Sequence, residues 1–232
     1  MSRACSLAGV AFAACAAVVG HAAPAPDVAQ GFSPAVSGTA NVATAVQRHY
    51  DTVKDFSADF THAYKGGVLN KQVTEHGKVL IKKPGKMRWE SESNTLYSDG
   101  VKSSLYVPAD KQVIVTTIPP QDAATTPALF LAGKGNLTRD FTVSLIDPAQ
   151  GMPAGTLALK LVPKTPQQDY DWLVLEIEPG TYHLRGLVFT DAQGGTSTFA
   201  FTNLKENVGL ADKEFEFKAP RGVEVVTDSG QR

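Results

Sequence analysis

The sequence predicts a mainly β chain with a few helices. The expected fold is a strongly bent antiparallel sheet of about eleven strands around a cavity, its mouth plugged by two helical pieces. Three observations lead there. The stretch from Glu75 to Ile118 holds four or five short β-type runs, each ended by a turn signal: Lys83-Pro84-Gly85, Asp99-Gly100 and Pro108-Ala109-Asp110. Asp-Gly between apolar runs marks a hairpin, because both residues tolerate the positive φ angles of a tight turn. The apolar side chains of this stretch, Leu80, Met87, Trp89, Leu96, Tyr97, Leu105 and Tyr106, are too many for a thin surface sheet and need cover. Helical spacing occurs at only two places, and never between successive strands, which argues against parallel βαβ winding. A sheet this long must curl or close, and large curved sheets of this kind enclose apolar ligands.

The chain opens with Arg3, an apolar run from Ala4 to Val19, and small residues at Gly20, Ala22 and Ala23. This is the layout of a secretory signal peptide over residues 1–22, cleaved after Ala22. The run is shorter than the roughly 20 residues a transmembrane helix needs, so the mature chain is expected to be exported and soluble. Both cysteines, Cys5 and Cys15, fall inside the signal, so no disulfide, thiolate metal site or cysteine nucleophile is expected in the mature domain. Phe12-Ala13-Ala14-Cys15 is a weak match to a lipoprotein-processing box. Phe stands where an aliphatic residue is usual, and the apolar run continues past the cysteine. Residues 23–40 are Ala, Pro, Gly and Ser with one charge, Asp27, and read as a disordered leader. A single domain is expected over 41–232.

That domain begins with a helix, Asn41 to Lys54, with Asn41 as N-cap and Val42, Ala45, Val46, His49, Tyr50 and Val53 on one face. Phe56, Ala58, Phe60, His62 and Tyr64 then alternate with smaller or polar residues, which is the period of a strand with one apolar face. After the Glu75–Ile118 meander, Pro127 to Ala132 reads as a short, nearly all-apolar helix with Pro in its first turn and Gly133 as its stop. Strands follow at Phe141–Ile146, Thr156–Val162, Trp172–Glu178, Tyr182–Thr190 and Thr196–Leu204, then Glu214–Lys218 and Val223–Val226.

Several chemistries find no support. The formal net charge is -1 without a basic block, which argues against nucleic acid. There is no G-x-S-x-G, H-E-x-x-H, Gly-rich phosphate loop or EF-hand spacing. His49, His62, His76 and His183 stand singly and read as satisfied or surface histidines. Glu90 and Glu92 share a strand face and read as solvated carboxylates. No catalytic residue, cofactor or metal is expected, and the chain does not read as an enzyme.

Five motifs, in order, carry a likeness to a known family: VQRHYDTVKDFSADFTHAY, GKVLIKKPGKMRWE, LYSDGVKSSLYVPADKQV, PALFLAG and FEFKAPRGVEVV. The chain resembles the periplasmic outer-membrane lipoprotein carrier proteins of the LolA type, over about Val42 to Val226. The resemblance implies a strongly curved, unclosed antiparallel β-barrel with a helical lid over a hydrophobic cavity, and a monomeric periplasmic chaperone. Such proteins take an acylated lipoprotein from an ATP-driven inner-membrane transporter and pass it to an outer-membrane receptor. On that reading Val46, Tyr50, Phe56, Phe60, Met87, Trp89, Leu105, Leu129, Phe130, Phe199 and Phe201 line or plug a lipid-binding cavity. The family commonly has Arg before the turn proline, where it latches the lid. Lys83 stands there and lacks the planar fork of Arg. Met87 stands where an aromatic residue is common; Met is adaptable and suits a floppy ligand, and plain core packing explains it equally well. Two rival readings keep the fold: a lipid-sensing regulatory module, and a membrane-anchored receptor lipidated at Cys15.

Overall fold

The computed structural model describes residues 34–66, 71–118, 124, 126–150, 152–191 and 194–228. The expected signal peptide, the leader up to residue 33 and most of the loop after Ile118 lie outside them. Helix α1 (Pro34–Thr52) leads into β1 (Asp55–Gly66), β2 (Lys71–Lys82), β3 (Lys86–Ser91), β4 (Thr95–Asp99), β5 (Lys102–Val107) and β6 (Gln112–Thr117). Helices α2 (Pro127–Leu131) and α3 (Leu137–Asp140) follow. Then come β7 (Phe141–Ile146), β8 (Leu157–Pro163), β9 (Leu173–Ile177), β10 (Leu184–Thr190), β11 (Thr196–Glu206) and β12 (Glu224–Asp228).

The twelve strands make one curved sheet in the order β12-β6-β5-β4-β3-β2-β1-β11-β10-β9-β8-β7. Two meanders compose it, β1 to β6 and β7 to β11. Each follows from short turns between alternating runs. They join where β1 lies antiparallel to β11, with Phe60 opposite Phe201 and Ala63 opposite Thr198. The edges β12 and β7 do not pair with each other, so the barrel is unclosed. On the inner face, Phe56, Ala58 and Phe60 of β1, Val79 and Ile81 of β2, Met87 of β3 and Phe201 of β11 are all buried. Ala43, Val46 and Val53 from the α1 side, and Leu129, Phe130 and Leu131 of α2, join the same cluster.

Gly77 makes the centre of this face possible. It stands opposite Phe60, and a Cβ there would lie 2.5 Å from the Phe60 ring and 2.0 Å from the Glu90 carbonyl oxygen. With no side chain in the way, the Phe60 ring reaches Trp89 and Phe199, at 5.4 and 5.6 Å between centroids.

Four features differ from the sequence expectation. Helix α1 starts at Pro34, so residues 34–40 are helical rather than part of a disordered leader, and Asn41 is interior rather than a cap. Proline suits a first helical turn, where its missing N–H is no loss. Helix α3 has no counterpart among the expected elements; the Asn136 side chain caps it by accepting from Thr138 and Arg139 N–H at 3.0 and 2.8 Å. Strand β12 is parallel to β6, with Val225 opposite Val113. Residues 214–218 do not form a strand: Asp212–Phe215 is a 3₁₀ turn. This segment straps the outer face instead. Asp212 pairs with Lys82 and Lys86 at 2.6 and 3.0 Å. Glu214 pairs with Arg88 at 3.3 Å, and the Phe217 ring meets Tyr97 and Tyr106. The apolar alternation that suggested a strand is thus met by ring contacts, without a backbone ladder.

Asp55 holds the start of β1 to the turn after β11. Its buried carboxylate accepts from the backbone N–H of Val208, Gly209 and Leu210 at 2.7 to 3.3 Å, while its own carbonyl accepts from Asn207 at 2.7 Å. Asp55→Ala leaves those donors without their acceptor. We expect it to lower the unfolding free energy by about 2–3 kcal/mol, seen as a lower urea midpoint with unchanged slope.

Candidate functional site

Between the inner face and the N-terminal end of α2 lies a cavity of about 290 Å³, walled by Phe60, Trp89, Leu96, Leu105, Leu187, Phe189, Phe199, Pro127 and Ala128. His62, Glu75, Ser91, Asn94 and Thr126 complete its lining. A second cavity of about 720 Å³ shares Leu96, Thr126 and Ala128 with the first and adds Met87, Ser103, Ile118, Leu129 and Gln167. The start of α2 thus forms a wall common to both.

Aromatic packing shapes the smaller cavity. Phe199 meets Trp89 edge-on at 5.3 Å and stacks on the His62 ring at 4.1 Å with 4° between planes. Burial holds the His62 pKa below its ordinary value, against the opposing pull of the Glu75 carboxylate. His62 also meets the Ser197 hydroxyl at 3.2 Å. The Trp89 Nε1–H is buried without a hydrogen-bond partner among the described residues.

A polar bolt holds the two helices over this face. Every helix ends with carbonyls that lack an intrahelical partner, and here the partners join different elements. The Tyr50 hydroxyl donates to the Phe130 carbonyl at 2.9 Å and also to that of Leu131. Gly85 N–H donates to the Ala132 carbonyl at 2.8 Å, and Lys83 N–H to that of Lys54 at 2.9 Å. The Lys83 ammonium donates to the Tyr50 carbonyl in the last turn of α1 and sits 3.0 Å from the centroid of the Tyr50 ring. A cation is favoured at a helix C-terminus and over an aromatic face. The Lys83 stem lies against Gly133, where a Cβ would come within 2.8 Å of it. Gly133 also has φ of +86°, so it serves both the turn and the close approach. The Tyr50 ring stacks on Phe130, 6.0 Å between centroids and 8° between planes. Farther along α1, Gln47 accepts from the Leu137 N–H at 2.7 Å and so ties α1 to α3.

Of the eleven residues expected at a lipid cavity, Phe60, Trp89, Leu105 and Phe199 line the smaller space, and Met87 and Leu129 the larger. Val46, Phe56, Phe130 and Phe201 are buried in the packed cluster beneath the helices, and Tyr50 forms the bolt. Leu96, Leu187, Phe189 and His62 also line the smaller space, outside the eleven expected residues. The two-residue period that selected Phe60 and Phe199 also places His62 and Phe189 on the inner side. Glu90 is paired with Arg88 rather than poised for acid-base chemistry, with Arg88 Nε at 2.9 Å from it.

The geometry defines a carrier-type chain, an open antiparallel wall with an apolar interior under a small helical lid. Residues 51–218 match the family described as outer membrane lipoprotein carrier protein LolA, and the chain belongs to that family. It is 30% identical over 184 residues to the outer-membrane lipoprotein carrier protein of Chromohalobacter salexigens, covering 78% of this chain and 84% of that protein. The outer-membrane lipoprotein carrier protein of Methylococcus capsulatus is 29% identical over 181 residues, with 77% and 84% covered. A solved LolA superfamily protein from Nitrosomonas europaea aligns with a TM-score of 0.42 at 13% identity, over 75% of this chain and 97% of that one.

Two predictions test the bolt. Tyr50→Phe keeps the ring stack and removes the hydroxyl. It should cost about 1–2 kcal/mol and speed amide hydrogen exchange at 129–133. Burial lowers the Lys83 pKa from 10.5 to about 8, against the raising effect of Asp51 and Glu206. Below pH 8 the ammonium is charged in both states and the burial penalty is complete. Between pH 8 and 10.5 the folded chain has released a proton that the unfolded chain still holds, so stability rises with pH. Relative to Lys83→Met, the native chain should gain on the order of 3 kcal/mol across that window, read from denaturant melts.

Proposed function

We propose that this chain is a periplasmic carrier that shields the acyl chains of lipoproteins released from the inner membrane and delivers them to the outer membrane. The observation that carries this reading is the apolar cavity walled by Phe60, Trp89, Leu96, Leu105, Leu187, Phe189 and Phe199, which shares the start of α2 with a larger cavity of mixed lining, beneath helices held by a few polar contacts. Family membership agrees with it, as does the expected signal peptide.

The physics of the cargo sets the requirements. Burying a methylene is worth about 0.8 kcal/mol, so a ~16-carbon chain left in water costs on the order of 13 kcal/mol. Extraction from a bilayer is therefore uphill, and the energy comes from an ATP-driven transporter in the inner membrane. Onward transfer needs an outer-membrane receptor that holds the lipid more tightly than the carrier does. A lid with its own apolar seat lowers carrier affinity, because Leu129 and Phe130 compete with acyl chains for the same wall.

The smaller cavity sits at the lower end of the range for small-molecule pockets, about 300 Å³. Several acyl chains fit only if α2, and with it α1, swings away. Lys83 and Tyr50 are then the latch. Lysine makes it a point contact plus a ring contact, where the family's usual arginine would reach with a fork. The Trp89 N–H is buried without a partner among the described residues; once α2 moves away, an ester or amide carbonyl at the polar end of the cargo would satisfy it.

Photo-crosslinkers placed at Phe60 and Leu129 should yield lipoprotein adducts during transporter-driven release, and depletion of the chain should strand lipoproteins in the inner membrane. Absence of adducts at both sites with normal sorting would refute the reading. Trp89→Phe should keep its fold and retain cargo several-fold less well.

A further inference from the structure

Two histidines and a glutamate that stand far apart in sequence come together at the end of α1. His49 Nε2 in the last helical turn lies 3.2 Å from either carboxylate oxygen of Glu206. His183 Nε2, in the turn before β10, lies 3.5 Å from Glu206 Oε2. The two imidazole centroids are 5.6 Å apart, and one donor atom from each of the three residues falls within 4.8 Å of the other two. In the sequence both histidines stand singly.

We propose that His49, His183 and Glu206 form a three-ligand site for Zn²⁺, or a divalent cation of the same preferences, that pins α1 to the sheet. Metal–ligand bonds of about 2.0–2.2 Å in a tetrahedron place neighbouring donors roughly 3.3 Å apart. The two separations to Glu206 already lie near that value. Two imidazoles with one carboxylate suit Zn²⁺ and disfavour Mg²⁺ and Ca²⁺, which take oxygen donors. A water completes the tetrahedron.

The surroundings match those of a metal-bound histidine. Glu178 Oε2 faces the other ring nitrogen of His183, Nδ1, at 3.6 Å. A carboxylate on that side orients the imidazole and keeps the Nε2 lone pair for an ion. Glu178 is itself held by Arg185 and Thr181 at 2.6 and 2.7 Å. Two ligands ride on fixed backbone. Glu206 ends the β1–β11 ladder opposite Phe56. The His183 carbonyl accepts from Glu178 N–H at 2.9 Å. The third ligand, His49, belongs to α1. An ion here ties a lid element to a wall element, whatever the cavity holds.

The test uses the full chain carrying Cys5→Ser and Cys15→Ser, so that thiols do not compete, titrated with ZnCl₂ by calorimetry and followed by amide hydrogen exchange. Saturable one-to-one binding is expected, with exchange at 43–50 slowed by the ion. His49→Gln with His183→Gln should weaken binding roughly 100-fold or more and remove the slowing. Glu178→Gln should weaken it about tenfold, and Mg²⁺ should not compete. Glu206→Gln is a second disruption should the double variant fail to fold, judged by its metal-free melting. No saturable binding, equal affinity in the disrupted variants, or binding without slowed exchange at α1 would each overturn the proposal.

Discussion

The pairing of β1 with β11 is the contact on which the remaining structure rests. It joins two meanders that would otherwise be separate sheets, each with an apolar face and nothing to cover it. Along this seam Phe60 meets Phe201 and His62 meets Phe199. The same two strands supply the floor of the smaller cavity. The seam also explains why a side-chain carboxylate clamp on backbone N–H groups, Asp55, sits at its end: there the chain must bring the first strand and the turn after the eleventh into register. Lose the register by one residue and every inner aromatic side chain turns to the opposite face.

Over that wall the helices are held with economy. Helix α2 is too short to be stable alone, and its identity as a lid element comes from tertiary partners. Four side chains of the short helix are buried, and its terminal carbonyls are satisfied by Tyr50 and by the Lys83–Gly85 turn. The apolar part of this seat is non-directional and would accept other hydrocarbon. The polar part is directional and only a few bonds strong. That division is what the carrier reading proposed above requires of α2.

Much of this was legible in the sequence. Asp99-Gly100 and Lys83-Pro84-Gly85 announced the hairpins, and the alternation from Phe56 to Tyr64 announced β1 and its inner face. Pro127 and Gly133 bracketed α2. Other features were hidden for identifiable reasons. The run Phe215-Glu216-Phe217 alternates like a strand, yet Phe215 is buried in a 3₁₀ turn and the Phe217 ring packs on Tyr97 and Tyr106, with no backbone ladder among the described residues. The helical character of 34–40 is masked by its Ala, Gly and Ser content, which scores as leader. Which inner residues would face space and which would be packed depends on where α2 lands. Period alone therefore could not separate Leu105, on a cavity wall, from Phe201, in the cluster. The meeting of His49 with His183 depends on the β1–β11 seam and on the turn before β10, neither of which has a local signature.

The parallel pairing of β12 with β6 has a kinetic corollary. Every other neighbour in the sheet is either a hairpin partner or, at β1–β11, the join between two finished meanders. The β6 edge waits for a strand more than a hundred residues downstream. Long loops close slowly, because their entropy must be spent before any contact rewards it. During that interval the backbone of Gln112–Thr117 is an unpaired, valine-bearing edge, the sort of surface on which a second chain can add. The final strand therefore acts as a late-arriving guard for the newly folded chain, apart from any part it has in the finished wall.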